Sequence, residues 1–259
     1  MASFACWVAP VARAQQQTTP DRATPLSMDF AAYRQFLDNG YSDWTGADAR
    51  LTYRGDRVAP FATVSTQSRR EGRQESYGLG SYLFLTPTVY SIVDFSVATG
   101  GTAVFFPRLR WDASVLADTR VVPGLVVDAG FTYVTFGGGS TGTITSLGPI
   151  YYRGPWIVSG LGHLNHDGQS GVTTGSGEVA AQRGAEGRSW TGASLSAGHE
   201  AYQVVSLTPF DAEFTNLGGS IFHQHWVGPR SALLGRIEVQ RKSGAYTRRG
   251  VTLSYRVAF

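Results

Sequence analysis

From Asp29 to its end the chain alternates apolar and polar residues in segments of roughly 8 to 12 residues, with almost no helical spacing. The last segment is the clearest. Val251, Leu253, Tyr255, Val257 and Phe259 are apolar at every second position, with Thr252, Ser254, Arg256 and Ala258 between them. A strand with this period puts the two sets on opposite faces. Leu109, Trp111, Ala113 and Val115 oppose Arg108, Arg110, Asp112 and Ser114 in the same way, and Leu125, Val127, Ala129, Phe131 and Tyr133 oppose Asp128 and Thr132. Leu233, Ile237 and Val239 oppose Arg236, Glu238 and Gln240. The pattern predicts strands near 29–37, 47–54, 57–67, 75–84, 89–98, 106–116, 124–135, 143–153, 156–164, 173–183, 189–200, 217–227, 231–241 and 248–259. That makes about fourteen strands, with twelve as the alternative count.

The connections add a second regularity. Tight turns fall at Gly55-Asp56, Leu85 to Thr88, Gly154-Pro155, Ala185 to Gly187 and Gly228 to Arg230, with an intermediate one around Val121-Val122-Pro123. Longer links lie between them: Asp38 to Gly46, Thr99 to Phe105, Phe136 to Gly142, Asn165 to Val172 and Ala201 to Asn216. Short turns alternating with longer loops are what an up-and-down antiparallel transmembrane β-barrel needs, and an even strand count puts both ends at the short-turn rim. No shift of composition divides the chain, so residues 29–259 read as one all-β domain. A soluble β-sandwich or jelly roll remains open on the alternation alone.

Charge sharpens the picture. Only 16% of the 259 residues are charged, the formal net charge is +3, and Lys242 is the single lysine. With no basic stripe interleaved with aromatics, nucleic acid is not an expected partner. No uninterrupted apolar run is long enough for a transmembrane helix, which says nothing against a barrel whose strands alternate. In a barrel the polar rows line the lumen, giving Arg50, Asp94, Arg108, Arg110, Asp112, Asp128, Arg236, Glu238 and Arg256 as candidate lumen residues. Paired across the bore, these groups would close it. Sorted to opposite walls, they would leave a channel with a transverse field. The aromatics Tyr151, Tyr152 and Trp156 sit beside a tight turn, as an interfacial girdle would.

At the other end, Ala12-Arg13-Ala14 before a glutamine run has the small-residue form of a secretory cleavage site. Residues 1–14 therefore read as a signal peptide that, lacking a basic start, is expected to be truncated at its beginning, and residues 15–28 as a disordered segment. Cys6, the only cysteine, lies within that signal, so no disulfide is expected.

"FHQHWVGPR" (Phe222–Arg230) and "YTRRGVTLSYRVAF" (Tyr246–Phe259) resemble the closing strands of the YaiO-type outer-membrane β-barrel family, with weaker likeness in "GHLNHD" (Gly162–Asp167) and "RLRWDASV" (Arg108–Val115). The resemblance implies a barrel in the outer membrane of a Gram-negative bacterium, with lipid and lipopolysaccharide around it. It also implies that the row Val251, Leu253, Tyr255, Val257 and Phe259 is read by the barrel assembly machinery. It implies no catalytic residues. Some family members resemble parts of polysaccharide systems, so a narrow passive pore or a polysaccharide-related channel is the leading expectation. A non-conducting interaction barrel is the alternative.

A lipid hydrolase is the remote reading. "HLNHDGQSG" resembles the active-site stretch of outer-membrane phospholipases, but the position two after His166 is Gly168, and Ser170 is displaced from the spacing a base needs. His223 and His225, two apart on one strand, lack a third ligand nearby, so no metal is expected; Trp226 beside them reads as a membrane anchor. Gly137-Gly138-Gly139 opens no helix and is not a phosphate cradle. Arg248-Arg249 reads as a solvated strand start, with lipopolysaccharide phosphate as the alternative ligand. No cofactor is expected.

Overall fold

The computed structural model describes residues 25–99, 105–200 and 214–259. The signal peptide read at 1–14 and most of the segment read at 15–28 lie outside the described residues. The strands are β1 (Leu26–Leu37), β2 (Trp44–Tyr53), β3 (Val58–Arg69), β4 (Gly72–Thr86), β5 (Val89–Ala98), β6 (Leu109–Asp118) and β7 (Leu125–Thr135). They continue as β8 (Thr141–Arg153), β9 (Trp156–Asp167), β10 (Thr173–Ala185), β11 (Ser189–Glu200), β12 (Phe214–Gly228), β13 (Ser231–Lys242) and β14 (Tyr246–Ala258). Each pairs with its neighbour in sequence, and β14 pairs with β1, so the sheet closes into a barrel. Fourteen, not twelve, is the count. The sandwich reading is excluded.

Closure explains the amphipathic terminus. β1 and β14 are antiparallel from Ser27 opposite Ala258 to Leu37 opposite Arg248. The Phe259 N–H donates to the Leu26 carbonyl (2.8 Å), and the Ala258 N–H to that of Arg230 (2.8 Å). In hydrocarbon an unpaired backbone group costs several kcal/mol, so the seam must pair along its length. This is also why β1 starts at Leu26 rather than Asp29: its first residues are needed to pair the end of β14.

The six connections at 54–57, 87–88, 119–124, 154–155, 186–188 and 229–230 share one rim with both strand ends of the seam. The opposite rim carries the longer links, but two there are short: 70–71 and 243–245. The predicted loops were thus long on average, not throughout.

Outward rows are apolar and exposed, as in Leu79 (68%), Leu253 (67%), Leu195 (64%) and Leu147 (62%). A water-soluble protein does not expose a belt of this extent; a barrel sealed in lipid does. Inward, three aromatic rings lie over cross-strand glycines: Tyr33 over Gly46, Phe61 over Gly80, and Phe222 over Gly192. A Cβ at those glycines would come within 2.2, 2.3 and 2.4 Å of the rings. The missing side chain lets each ring lie flat on the wall instead of standing into the bore.

Candidate functional site

The site is the lumen, and the register decides which groups face it. Cross-strand partners share a face. Asp29 is opposite both Arg256 and Arg50, Gly80 opposite Asp94, and Asp94 opposite Asp112. Leu116 is opposite Asp128, and Arg236 is opposite Phe222. Arg50, Asp94, Arg110, Asp112, Asp128, Arg236, Glu238 and Arg256 all lie on inward rows. Arg108 does not belong to a strand; it sits just before β6 and is exposed. The same rows add Asp29, Asp48, Arg69, Asp118, Glu178, Lys242 and Arg248. The sequence signal for most of these was weak: β10, for instance, is so rich in Gly and Ala that its two faces look alike.

The charges are sorted by wall. On the contiguous strands β13, β14, β1, β2 and β3 stand Arg50, Arg69, Arg236, Lys242, Arg248 and Arg256, with Asp29, Asp48 and Glu238 among them. On the facing strands β5 to β10 stand Asp94, Asp112, Asp118, Asp128 and Glu178, with Arg110 the one inward strand cation among the described residues there. One wall is basic and the other acidic.

Contacts run along each wall. Arg256 grips Asp29 across the seam through Nε–Oδ1 (2.6 Å) and Nη2–Oδ2 (3.2 Å). Arg110 holds Asp112 from the same strand (2.5 and 2.7 Å), and Asp112 also accepts from the Thr132 hydroxyl (2.6 Å). Glu238 accepts from Gln35 (2.8 Å) and lies 3.8 Å from Arg248. Arg50 donates to the Tyr82 hydroxyl (3.0 Å) and stacks 3.7 Å over Phe61. Arg69 stacks over Trp44 (3.8 Å) and Phe105 (4.2 Å). These cations are flattened against their own wall, and the Trp44 and Phe61 ring faces they cover are not free to stack on a sugar. On the acidic wall, Asp94 Oδ1 and Asp128 Oδ1 have no hydrogen-bond partner in the protein.

Side chains narrow the bore at both ends. Towards the tight-turn rim, Tyr90, Leu116, Val126, Ile150 and Ile157 form a buried inward cluster, with Phe84, Ile92, Tyr152 and Trp190 against it. Leu116 is fully buried. Tyr152 is therefore not part of the girdle. Tyr151 and Trp156 are exposed on the outward face, and adjacent residues of a strand cannot share a face. Trp226 likewise faces inward, opposite the buried Ala232, so it is no membrane anchor. In the β10–β11 turn, burial raises the Glu186 carboxyl above its usual range, against the pull of Arg256 and of Arg54 in the β2–β3 turn. Towards the loop rim, Trp44, Ala245 and Tyr246 form a second cluster. There Gln74 Oε1 accepts from the Phe105 and Phe106 N–H groups (2.6 and 2.7 Å), tying Phe105 and Phe106 to the inward face of β4.

The other candidates separate. His166 is exposed on the outer face and contacts the Thr173 hydroxyl (2.9 Å), while the Ser170 hydroxyl donates to Asp167 (2.7 Å). Base and nucleophile are each held by another group. His223 and His225 face outward, and no cluster of three metal-ligating side chains occurs among the described residues. Arg248 points into the lumen and Arg249 out of it, so the pair cannot grip one phosphate.

A closed antiparallel barrel with an exposed apolar belt and a polar, charge-lined interior defines an integral membrane β-barrel. The chain belongs to the YaiO membrane beta barrel domain family, whose family model matches residues 27–203. The match includes "RLRWDASV" and "GHLNHD" but ends before the C-terminal segments that carry most of the resemblance in the sequence. No curated protein matches the chain at a significant level. Among solved structures it is similar to a bacterial polysaccharide outer membrane secretin (TM-score 0.59, 9% identity, 91% of this chain and 99% of that one). It is also similar to Omp33 of Acinetobacter baumannii (TM-score 0.53, 12% identity, 91% and 98%) and to an outer membrane channel of Pseudomonas putida F1 (0.52, 10%, 91% and 96%). At these identities the likeness is one of fold. Family and fold together point to a bacterial outer membrane.

Proposed function

We propose that the protein is a narrow passive pore for small polar solutes, with a transverse field across its lumen and a weak preference for cations. The observation that carries this is the sorting of inward charge between the β13–β3 wall and the β5–β10 wall. Closing a barrel does not require it, and mixed ion pairs on every wall would neutralise the bore equally well. Two facing walls of opposite sign orient a dipolar solute and favour its entry over a neutral apolar one. The paired side chains are partly wet: Arg110 and Asp112 are 25% and 22% exposed, Arg256 and Asp29 30% and 29%.

The nine lumen residues read from sequence lean basic, which would favour anions. The inward rows tip that lean slightly the other way, because Arg108 drops out and the carboxylates that enter, Asp29, Asp48, Asp118 and Glu178, outnumber the entering cations Arg69, Lys242 and Arg248. On the acidic wall Asp94 and Asp128 each keep an oxygen without a protein partner. A saccharide route has less support, since guanidinium groups cover two of the lumen's aromatic faces. Hydrolysis is not part of the proposal, since His166 contacts the Thr173 hydroxyl and the Ser170 hydroxyl donates to Asp167.

The buried cluster around Leu116 favours a second reading, a closed barrel that serves as an interaction surface. A salt-gradient measurement across a planar bilayer tests the first. The wild type should show a reversal potential of cation-selective sign, and Asp94→Asn with Asp128→Asn should move it towards anions. An unchanged reversal potential in the double variant would remove the acidic wall from the account.

A further inference from the structure

We infer that the outer wall of β8 to β12, near the tight-turn rim, binds the phosphate of an anionic phospholipid. Arg153, Trp156, Arg183, Thr191 and His223 follow one another across five strands as direct cross-strand neighbours. His225 is the next outward residue of β12, and all six side chains are exposed. Neighbouring strands lie about 4.8 Å apart, so Arg153 and Arg183 flank Trp156 at a spacing of roughly 10 Å. The Arg183 guanidinium lies 5.6 Å from the Trp156 ring centroid. The Thr191 hydroxyl is 2.8 Å from His223 Nδ1, and the His223 and His225 rings run near-parallel with centroids 6.4 Å apart.

Three features point to a lipid headgroup. First, the outward rows of β8 to β12 carry no carboxylate among the described residues, so nothing on this wall neutralises the guanidinium groups. At the opposite rim, by contrast, Arg34 is paired with Asp43 (3.1 Å) and Arg73 with Glu75 (3.0 Å). Second, elsewhere along the tight-turn rim the belt stays apolar to its edge, through Tyr53, Val58, Leu85, Leu233, Tyr255 and Phe259. On β12 it is interrupted by His223 and His225, between Ile221 and the exposed Val227. Thr191, His223 and His225 thus form a polar notch in the lipid-facing belt, at the level where a headgroup meets the wall. Third, planar guanidinium groups donate to phosphate oxygens in forked geometry, and a tryptophan at the boundary packs against the acyl–headgroup junction. The site is independent of whether the lumen conducts.

Native mass spectrometry of the folded barrel, released from micelles doped with phosphatidylglycerol or with phosphatidylcholine, tests this. The wild type should retain phosphatidylglycerol in preference. Arg153→Gln with Arg183→Gln should weaken retention roughly fivefold per residue, or about twenty-fivefold together. His223→Asn with His225→Asn should weaken it less. Arg241→Gln with Arg249→Gln, at the opposite rim, should leave it unchanged, and heat modifiability confirms that each variant is folded. Equal retention of the two lipids by the wild type would overturn the proposal, as would equal loss in the opposite-rim variant. A change of oligomeric state in the Arg153/Arg183 variant with lipid retention intact would assign the patch to a second copy of the chain instead.

Discussion

Phe61 shows how a single residue can set the bore. One face of its ring lies over Gly80, where a Cβ would come within 2.3 Å of the ring and 2.5 Å of the Val93 carbonyl oxygen. Its other side carries the Arg50 guanidinium at 3.7 Å. The glycine therefore flattens the ring, and the ring flattens the arginine. Gly80→Ala must displace one of them, and overpacking of this kind costs about 1–3 kcal/mol. The urea midpoint of the reconstituted variant should fall accordingly, and Phe61→Ala should cost less when added to Gly80→Ala than when made alone, because the two positions are in contact. A Gly80→Ala barrel as stable as the wild type would show that the ring has room to move. This pairing was not legible in the sequence. Gly80 and Phe61 meet only because β3 and β4 adopt one register, and period-two alternation fixes faces without fixing partners. Tyr152 and Trp226 are a different case: both lie beside tight turns, where an aromatic suggests an interfacial girdle, but alternation turns each of them inward.

At the scale of elements, sequence carried furthest. All fourteen strands follow from alternation, because an outward lipid row and an inward polar row differ in polarity wherever the strand spans hydrocarbon. The fit weakens where that contrast weakens. β4 runs from Gly72, ahead of the expected start near residue 75, and joins β3 through only Arg70 and Glu71, because beyond the apolar belt a hairpin can lengthen without a hydrophobic row. β10 hid Glu178 behind small residues on both faces. β14 was the plainest, and it is the closing strand. Deleting Phe259 removes the N–H that pairs with Leu26 as well as an outward aromatic that is 56% exposed. Deletion, or Phe259→Asp, should lower the amount of heat-modifiable barrel in the outer membrane several-fold while total synthesis is unchanged. Wild-type amounts in both variants would show that the seam closes without its last residue.

For the whole molecule, the choice is between a bore that carries solute and one that side chains close. The fold makes both available, since fourteen strands enclose more room than the eight that side chains readily fill and less than an open porin of sixteen or so. The sorted walls argue for passage, and the cluster around Leu116 sets how narrow that passage is. Sequence could list charged lumen residues but not sort them, because sorting depends on which strands end up facing each other after closure. Single-channel recording of the refolded wild type in a planar bilayer tests the central claim most directly. The account predicts discrete openings, smaller than those of an open porin in the same salt and weakly cation-selective. Bilayers that stay silent while circular dichroism shows fully folded β structure would contradict it.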